Sequence, residues 1–242
     1  SRDYMLSGYR LRSLLARSGE CIAYRAARYI LVSSQDVAEE LQATPRTARK
    51  TILTPTYVDV TLFRPKNEYR FDEPLIAVSR FAPAKNLPNL LRACALAKRD
   101  LVLVGSGEGE AELRVLAADL SIQVTFAGRL PNEVLATTLR EHSVYILPSL
   151  YEGLPKALVE AMACGLVPIG TRTAGIIDLI QDGENGYLID GTDAAQIACT
   201  IKRAFAERKC ELGRRARATV ENVFSLSRYA ARETRLYQLL DE

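Results

Sequence analysis

Beyond residue 74, short apolar runs alternate with longer segments in which apolar residues recur at helical spacing. Strands are predicted at Leu75–Ser79, Leu101–Val104, Val124–Ala127, Val144–Leu147, Val167–Ile169 and Tyr187–Ile189. Helices are predicted over 87–98, 109–120, 132–141, 155–164 and 193–207, with a short turn over 176–181. Pro131 suits a helix start, and Asp193 suits an N-cap. This alternation predicts an α/β fold with a mostly parallel, doubly wound sheet and helices on both faces.

The first 65 residues follow a different pattern. Leu11, Leu14 and Leu15 begin a helix-like repeat. Tyr29–Ser33 is then predicted as a strand and Asp36–Gln42 as a second helix. We therefore expect a separate segment ahead of the main sheet.

Composition is that of a globular protein, with 48% hydrophobic and 25% charged residues in 242. No run of about 18 apolar residues occurs, and the opening Ser1-Arg2-Asp3 does not resemble a signal peptide. The five cysteines are scattered without a C-x-x-C pair, which predicts reduced thiols in a cytoplasmic protein. Because His142 is the only histidine, we expect no zinc site.

Charge is unevenly distributed along the chain. Residues 1–70 hold 12 basic and 7 acidic side chains, a net charge of +5, so the rest of the chain carries −2 of the total +3. A basic front segment is compatible with an acidic membrane surface or a lipid-linked acceptor, and the alternative is an ordinary solvated face. No basic patch is interleaved with aromatic residues, which argues against nucleic acid as a partner.

The segment from Pro148 to Gly165 carries two acidic residues, Glu152 and Glu160, on either side of a predicted helix start near Pro155. If the whole stretch were helical, the two would lie about 12 Å apart. Glycoside hydrolases hold their two carboxyl groups roughly 5–9.5 Å apart, so this pair does not fit one glycosidic oxygen. Between the glutamates lie helix amides and a positive dipole end, which favour an anion. Glu152, the anion site and Glu160 would then contact, in that order, the sugar, the diphosphate and the ribose of one elongated ligand.

Other polar and glycine residues follow the predicted strands directly. Arg80, Gly105, Gly128 and Glu152 each come just after a strand. Ligands of doubly wound sheets bind beyond the carboxyl ends of the strands. We therefore expect these four residues to line one cleft.

The glycines at Gly105, Gly107 and Gly109 invite comparison with a dinucleotide-binding fingerprint. In G-x-G-x-x-G, however, the third glycine would fall at Glu110. The fingerprint fails, so a dehydrogenase is not predicted. The glycines either let the backbone approach a ligand or simply form a turn.

Together these signals resemble the donor-binding half of retaining GT-B-fold glycosyltransferases, the group that includes bacterial capsule, exopolysaccharide and lipopolysaccharide transferases. That family shares a serine, then E-G-x-P, then a second glutamate followed by A-M-A-x-G. The other matching segments, in order, are Ser79-Arg80-Phe81, Lys85-Asn86, Val104-Gly105-Ser106-Gly107, Phe126-Ala127-Gly128-Arg129 and Asp182-Gly183 with Gly186-Tyr187-Leu188. The resemblance covers about Tyr29 to Leu240 and implies a Rossmann-like C-terminal domain.

The resemblance implies a role for each segment in binding the donor. Arg80 and Lys85 are expected to neutralise the diphosphate, Glu152 to contact hydroxyls of the donor sugar, and Glu160 to hold the ribose hydroxyls. Arg80, Lys85 and Glu152 are also the expected catalytic residues. Further donor contacts are expected from Gly105, Gly107, Gly128, Arg129, Gly153, Leu154, Pro155, Lys156 and Ala157.

Each assignment has a structural alternative. Arg80 and Lys85 are otherwise surface charges, Glu152 is a charge stabilised by the helix dipole, and Glu160 faces water. Gly128 and Arg129 otherwise form a turn. His142 lies between a predicted helix and strand without a sequence partner, and we interpret it as structural rather than as a general base.

The implied reaction is transfer of a sugar from a nucleoside-diphosphate donor with retained anomeric configuration. No aspartate-x-aspartate pair occurs in the sequence, so we expect no metal and no cofactor. Arg80, Lys85 and the amides near Gly153–Ala157 would stabilise the leaving group instead, in a front-face displacement without a covalent nucleophile. The alternatives are a nucleotide-sugar-binding module that is inactive by itself and a GT-B-like sugar-nucleotide epimerase or phosphorylase.

The resemblance also divides the chain. Residues 1–65 are expected to end the N-terminal, acceptor-side domain and connect it to a nucleotide-sugar-binding domain at 66–225. Residues 226–242 would form a helix that crosses back. The expected partners are a UDP- or GDP-sugar and a sugar or lipid-linked acceptor bound by the missing part of the N-terminal domain. The expected location is the cytoplasm, with peripheral contact at the inner face of the membrane as an option.

Overall fold

The structure, a computed structural model, describes residues 22–32, 35–54, 56–65 and 68–241. Internal contacts group them into two compact units, 22–54 and 56–241. The helix-like repeat predicted from Leu11 to Leu15 lies outside the described residues, as does Cys21. The division predicted at residue 65 stays a prediction, but 56–65 packs within the second unit.

The first unit is built on two short parallel strands, β1 (Ile30–Val32) and β2 (Thr51–Leu53). They are connected by α1 (Gln35–Gln42) and a 3-10 helix (Ala48–Lys50). Ala38 of α1 packs on the buried side of β1. The strand and helix predicted in this segment are confirmed, whereas β2 is not predicted because its apolar run is only Ile52-Leu53.

The second unit is built on six parallel strands in the order β5-β4-β3-β6-β7-β8. They are β3 (Leu75–Val78), β4 (Leu101–Val104), β5 (Val124–Gly128), β6 (Val144–Leu147), β7 (Val167–Thr171) and β8 (Tyr187–Ile189). The chain runs outward from β3 to β5, returns to the centre, and runs outward the other way from β6 to β8. The predicted doubly wound parallel sheet is confirmed.

Eight α-helices lie in this described unit. They are α2 (Leu87–Ala97), α3 (Glu110–Asp119), α4 (Asn132–Arg140), α5 (Lys156–Ala163), α6 (Ala174–Ile177), α7 (Ala194–Glu207), α8 (Cys210–Val223) and α9 (Leu226–Asp241). The five predicted helices between β3 and α8 are confirmed as α2, α3, α4, α5 and α7. The turn predicted over 176–181 begins earlier, as the short helix α6, and α8 is not predicted.

Both faces of the sheet are buried. Along β6, Val144 and Ile146 point into the core formed with α2, α3 and α7. Tyr145 and Leu147 point into the opposite core, formed with α4, α5 and α8. Since successive strand residues face opposite sides, continuous apolar runs are what a doubly covered parallel strand requires.

Helix starts follow the predicted local chemistry. Asp193 is the N-cap of α7, and its Oδ1 accepts the amides of Ala195 and Gln196 at 2.9 and 3.0 Å. Pro131 precedes α4 as its N-cap residue. A capping carboxylate satisfies amides that have no intrahelical partner and also complements the helix dipole.

Arg217 of α8 ties three segments of the second unit together. Its guanidinium donates to the carbonyl oxygens of Ala163 at 2.6 Å, Phe63 at 2.5 Å and Val60 at 3.0 Å. Nε also pairs with Glu221 at 2.7 Å. Because Ala163 ends α5, this arginine joins the end of α5 to the segment 56–65.

None of the helices within the described ranges has the length and apolarity needed to cross a membrane.

Candidate functional site

The sheet order reverses between β3 and β6, which pair directly through Ile76 and Tyr145. Their connections leave in opposite directions, which opens a crevice beyond the carboxyl ends of the strands. Arg80 follows β3, and Glu152 follows β6. Arg80 and Glu152 thus follow the two strands of the topological switch point, and a single cleft that also includes Gly105 and Gly128 stays a prediction.

Lys85 and Glu152 meet in this crevice. The Lys85 Nζ donates to Glu152 Oε1 at 2.5 Å, and the two side chains are only 17% and 10% exposed. The Ser149 hydroxyl donates to the same carboxylate oxygen at 2.7 Å. Two donors therefore fix one oxygen of Glu152, with the positive charge of Lys85 opposing its negative charge.

The two loops that carry this pair are hydrogen-bonded to each other. The Leu150 amide donates to the Ala84 carbonyl at 2.8 Å, which ties the β6–α5 loop to the 3-10 helix Pro83–Lys85. Thr171, at the end of β7, donates its hydroxyl to the Ser149 carbonyl at 2.5 Å. Three neighbouring strands thus contribute to the position of one carboxylate.

The short helix α6, which follows β7, also contacts the loop that carries Glu152. A Cβ atom at Gly175 would lie 1.4 Å from the Gly153 carbonyl oxygen, so only glycine fits there. The Gly175 amide faces the Glu152 carbonyl at 3.4 Å. This close approach restricts the backbone at the start of α5.

Gly105 and Gly107 have a comparable steric explanation. A Cβ atom at Gly105 would lie 1.8 Å from the Ser79 carbonyl oxygen, and one at Gly107 would lie 2.3 Å from that of Phe81. Gly105 also has a φ of +131°, which side chains rarely adopt. The glycines thus let the loops after β3 and β4 pack backbone to backbone. This packing explains why both positions are glycine, and their contact with a donor stays a prediction.

Glu160 lies in the buried part of α5 and is 5% exposed. Lys156, one turn earlier, places its ammonium 3.7 Å from Glu160 Oε1. Burial raises the pKa of the Glu160 carboxyl, and the charge of Lys156 offsets only part of that rise. The surface alternative for Glu160 is therefore wrong.

Arg80 and Arg129 are exposed and line the same cavity of about 1300 Å³. The cavity also includes Gly107 and extends from the amino end of α2 along the whole of α3. Within the described ranges, Arg80 makes no hydrogen bond or ion pair with Glu152. The structure thus groups the predicted residues into a buried set around Glu152 and an exposed set around Arg80.

The remaining predicted residues surround the start of α5. Pro155 is the residue before the helix and is buried, while Gly153 and Lys156 are exposed. Leu154 and Ala157 pack on the core behind them.

Gly128, at the end of β5, has a left-handed φ of +67°, and its carbonyl oxygen accepts the Gly105 amide at 2.7 Å.

His142 lies at the opposite end of the sheet, just before β6. It is buried, and its Nδ1 lies 2.9 Å from the Pro74 carbonyl oxygen. The structural interpretation of His142 is therefore confirmed.

Cys94 and Cys164 are also buried, and burial raises the pKa of each thiol to about 12.

Among the described residues, no group of three or more histidine, cysteine, aspartate or glutamate side chains is placed to hold a metal ion.

Ser149 is the site residue that the sequence did not assign. The sequence shows it three positions before Glu152, in the place of the serine that the family shares. Its role becomes visible only with the hydrogen bond to Glu152 Oε1.

Comparison with known proteins identifies the family of this chain. Residues 61–222 match the family described as Glycosyl transferases group 1, a span that holds the six-stranded sheet and every predicted site residue. The chain belongs to this family. The parallel sheet with flanking helices is the Rossmann-like fold of GT-B glycosyltransferases.

A relative in sequence and a relative in structure each match a large share of the chain. The amylovoran biosynthesis glycosyltransferase AmsK of Erwinia amylovora is 30% identical over 171 residues, covering 64% of this chain and 42% of AmsK. Sucrose-phosphate synthase from Thermosynechococcus elongatus superposes with a TM-score of 0.81 and 28% identity, covering 91% of this chain and 60% of the synthase. The chain thus spans less than two thirds of the length of either protein.

A further likeness shows the fold alone. The crystal structure of Anabaena Alr3699/HepE in complex with UDP and glucose superposes with a TM-score of 0.79 at 19% identity, covering 92% of this chain and 66% of HepE.

Proposed function

We propose that this chain binds a nucleoside-diphosphate sugar and provides the donor site of a retaining glycosyltransferase. The observation that carries the proposal is the arrangement around α5. Glu152 precedes the helix, Glu160 is buried within it, and the helix amino end lies between them. An elongated ligand with an anionic centre and hydroxyls at both ends matches that order of groups.

The diphosphate would bind at the start of α5. The free amides of the first turn and the positive end of the helix dipole favour an anion there. Lys85 uses one of its three N–H groups on Glu152, which leaves two for phosphate oxygens. Arg80 is exposed after β3, in the cavity that also contains Gly107 and Arg129, and would add a bidentate contact from that side.

The ribose would bind at Glu160. Burial disfavours the ionised carboxyl, and the largely exposed Lys156, at 3.7 Å, offsets only part of this effect. Two vicinal ribose hydroxyls would supply the donors that a buried carboxylate requires.

The donor sugar would bind at Glu152. Its Oε1 is held by Lys85 and Ser149, so Oε2 would accept sugar hydroxyls. A carboxylate that is fixed by two donors is poorly suited to attack an anomeric carbon. We therefore propose a front-face displacement in which the departing phosphate oxygen accepts the proton of the acceptor, while Lys85, Arg80 and the helix amides stabilise its charge. These cationic groups would allow donor binding without a metal ion.

UDP is the first nucleotide to test, because HepE is a UDP complex of the same fold. Isothermal titration calorimetry with UDP, GDP and ADP, without added magnesium, is expected to show binding of one of them. Absence of binding by all three, or binding only with magnesium, would contradict the proposed site. We propose polysaccharide or glycoconjugate biosynthesis as the context, by analogy with AmsK.

A second candidate function is donor binding without transfer. Its support is that the chain spans only 42% of AmsK, and GT-B enzymes bind the acceptor on a facing domain. Incubation with a labelled donor and candidate acceptors distinguishes the two. Binding without a glycosylated product favours donor binding alone, whereas product formation favours the transferase.

A further inference from the structure

Ser149 and Thr171 form a buried hydrogen-bonded support beneath Glu152. Ser149 is 0% exposed and Thr171 is 1% exposed. The Thr171 hydroxyl donates to the Ser149 backbone carbonyl at 2.5 Å, and the Ser149 hydroxyl donates to Glu152 Oε1 at 2.7 Å. The chain of bonds thus runs from the end of β7, through the end of β6, to the carboxylate.

This support restrains Glu152 in a way that Lys85 alone cannot. A lysine ammonium sits on a flexible four-carbon stem, so it attracts a carboxylate without fixing the plane of the carboxylate. The Ser149 hydroxyl reaches Glu152 from a short side chain three residues earlier, and its burial excludes competing water. Thr171 in turn fixes the backbone that carries this hydroxyl.

We propose that Ser149 and Thr171 are positioning residues that orient the Glu152 carboxylate toward the sugar of the donor. This inference rests on the proposed function, because it assumes that Glu152 contacts the sugar. It assigns neither hydroxyl a contact with the ligand. Both act through Glu152, so they influence recognition of the sugar and leave recognition of the diphosphate to Lys85, Arg80 and α5.

The chain offers a matched control for Ser149. Ser143 is also a buried serine beside β6, but it directly precedes the strand, at the amino end of β6 and away from the cleft. Its hydroxyl donates to the Arg70 carbonyl at 2.7 Å and accepts the Arg70 amide at 2.8 Å. Ser149→Ala and Ser143→Ala therefore each remove a satisfied, buried hydroxyl from the ends of one strand.

The test measures the dissociation constants of UDP-glucose and UDP for the parent chain and each variant, and compares the ratio of the two constants. If calorimetry selects guanine, GDP-mannose and GDP replace this pair. Ser149→Ala is expected to weaken UDP-glucose about tenfold and UDP less than about twofold, as loss of a hydrogen bond to a charged group predicts. Thr171→Val is expected to act in the same direction, and Thr171→Ser is expected to restore the parent ratio. Ser143→Ala is expected to leave the ratio unchanged, even if its melting temperature falls.

Circular dichroism and thermal melts establish that each variant is folded, and Thr171→Val serves as the informative variant if Ser149→Ala does not fold. An unchanged ratio in folded Ser149→Ala or Thr171→Val would overturn the inference, as would an equal change in Ser143→Ala. Binding of the donor by the parent chain with no effect of these variants would refute only this inference. A parent chain that binds neither ligand would remove the proposed function first.

Discussion

Glu160 is a buried ionisable residue. Burial makes the charged carboxyl costly for stability, whereas the proposed ribose contact uses the charged carboxyl. Burial raises the pKa of this carboxyl in the folded protein above its value of 4.5 in an unfolded chain. The folded state therefore holds the proton more tightly than the unfolded state. The contribution of Glu160 to stability is complete below about pH 4.5 and is lost as the pH rises through the raised folded-state pKa.

Glu160→Gln is accordingly expected to stabilise the protein at pH 7 and to weaken nucleotide binding. The stabilisation relative to the parent should disappear as the pH falls toward 4.5, which urea unfolding at several pH values measures. The exposed Glu141→Gln is the matched control and should show neither effect. Affinity for nucleoside monophosphate and diphosphate should fall alike, by about 1–3 kcal/mol, because both contain ribose. Unchanged affinity in a folded variant would refute the ribose assignment.

Arg80 provides a second test at the scale of one residue. Its side chain is exposed in the cavity that also contains Gly107 and Arg129, and is predicted to contact the second phosphate. Arg80→Ala should therefore reduce the preference for UDP over UMP by about tenfold, at one fixed salt concentration because phosphate contacts are screened. Arg92→Ala removes another arginine of the same cavity and should leave the preference intact. An equal effect of both substitutions would indicate a general charge effect instead of a phosphate contact.

The residue types at the site could be predicted from sequence, but their contacts could not. Arg80, Glu152 and Gly128 follow apolar strands, and the topology of a doubly wound sheet then places them at one edge. That Lys85 pairs with Glu152, however, depends on how the loop after β3 meets the loop after β6. No spacing within the sequence encodes a contact between positions 67 residues apart.

At the scale of elements, α8 shows why one helix was not predicted. Its buried residues Leu212, Ala216 and Val220 recur every four positions, so the signal is present. Only two of the three are large apolar residues, however, and Gly213 adds a weak helix former. Strands such as β6 were easier to predict, since burial on both faces makes them apolar throughout.

Arg217 is expected to stabilise the packing of α8 against α5 and the segment 56–65. Its side chain is 13% exposed and donates to three backbone carbonyls, which would lose their partner in Arg217→Met. Urea unfolding is expected to show a loss of about 2–4 kcal/mol, because buried acceptors are left unsatisfied. Arg214→Met removes an arginine of the same helix that is 65% exposed, and should change stability by less than about 0.5 kcal/mol. Equal losses for the two variants would show that Arg217 acts only as a surface charge.

At the scale of the whole molecule, stability is expected to be uneven between the two units. The second unit buries six strands between two extensive cores. In the first unit, the described residues contribute two strands of three residues each, and their buried apolar cluster consists of Ile30, Val32 and Ala38. Two-stranded sheets are marginal in water, because they bury little apolar surface for the backbone they order.

Hydrogen exchange is therefore expected to be faster in the first unit than in the second. Amides around Leu31 in β1 should exchange through local opening at low cost, whereas those around Leu103 in β4 and Ile146 in β6 should exchange only with global unfolding of the sheet. Exchange followed by mass spectrometry on peptides from the described ranges measures this directly. Adding the nucleotide that binds should further slow the peptides that contain Glu152 and Glu160, since a ligand that binds only the folded state stabilises it. Slowest exchange around Leu31 would show that the first unit, and not the six-stranded sheet, is the most stable part of the molecule.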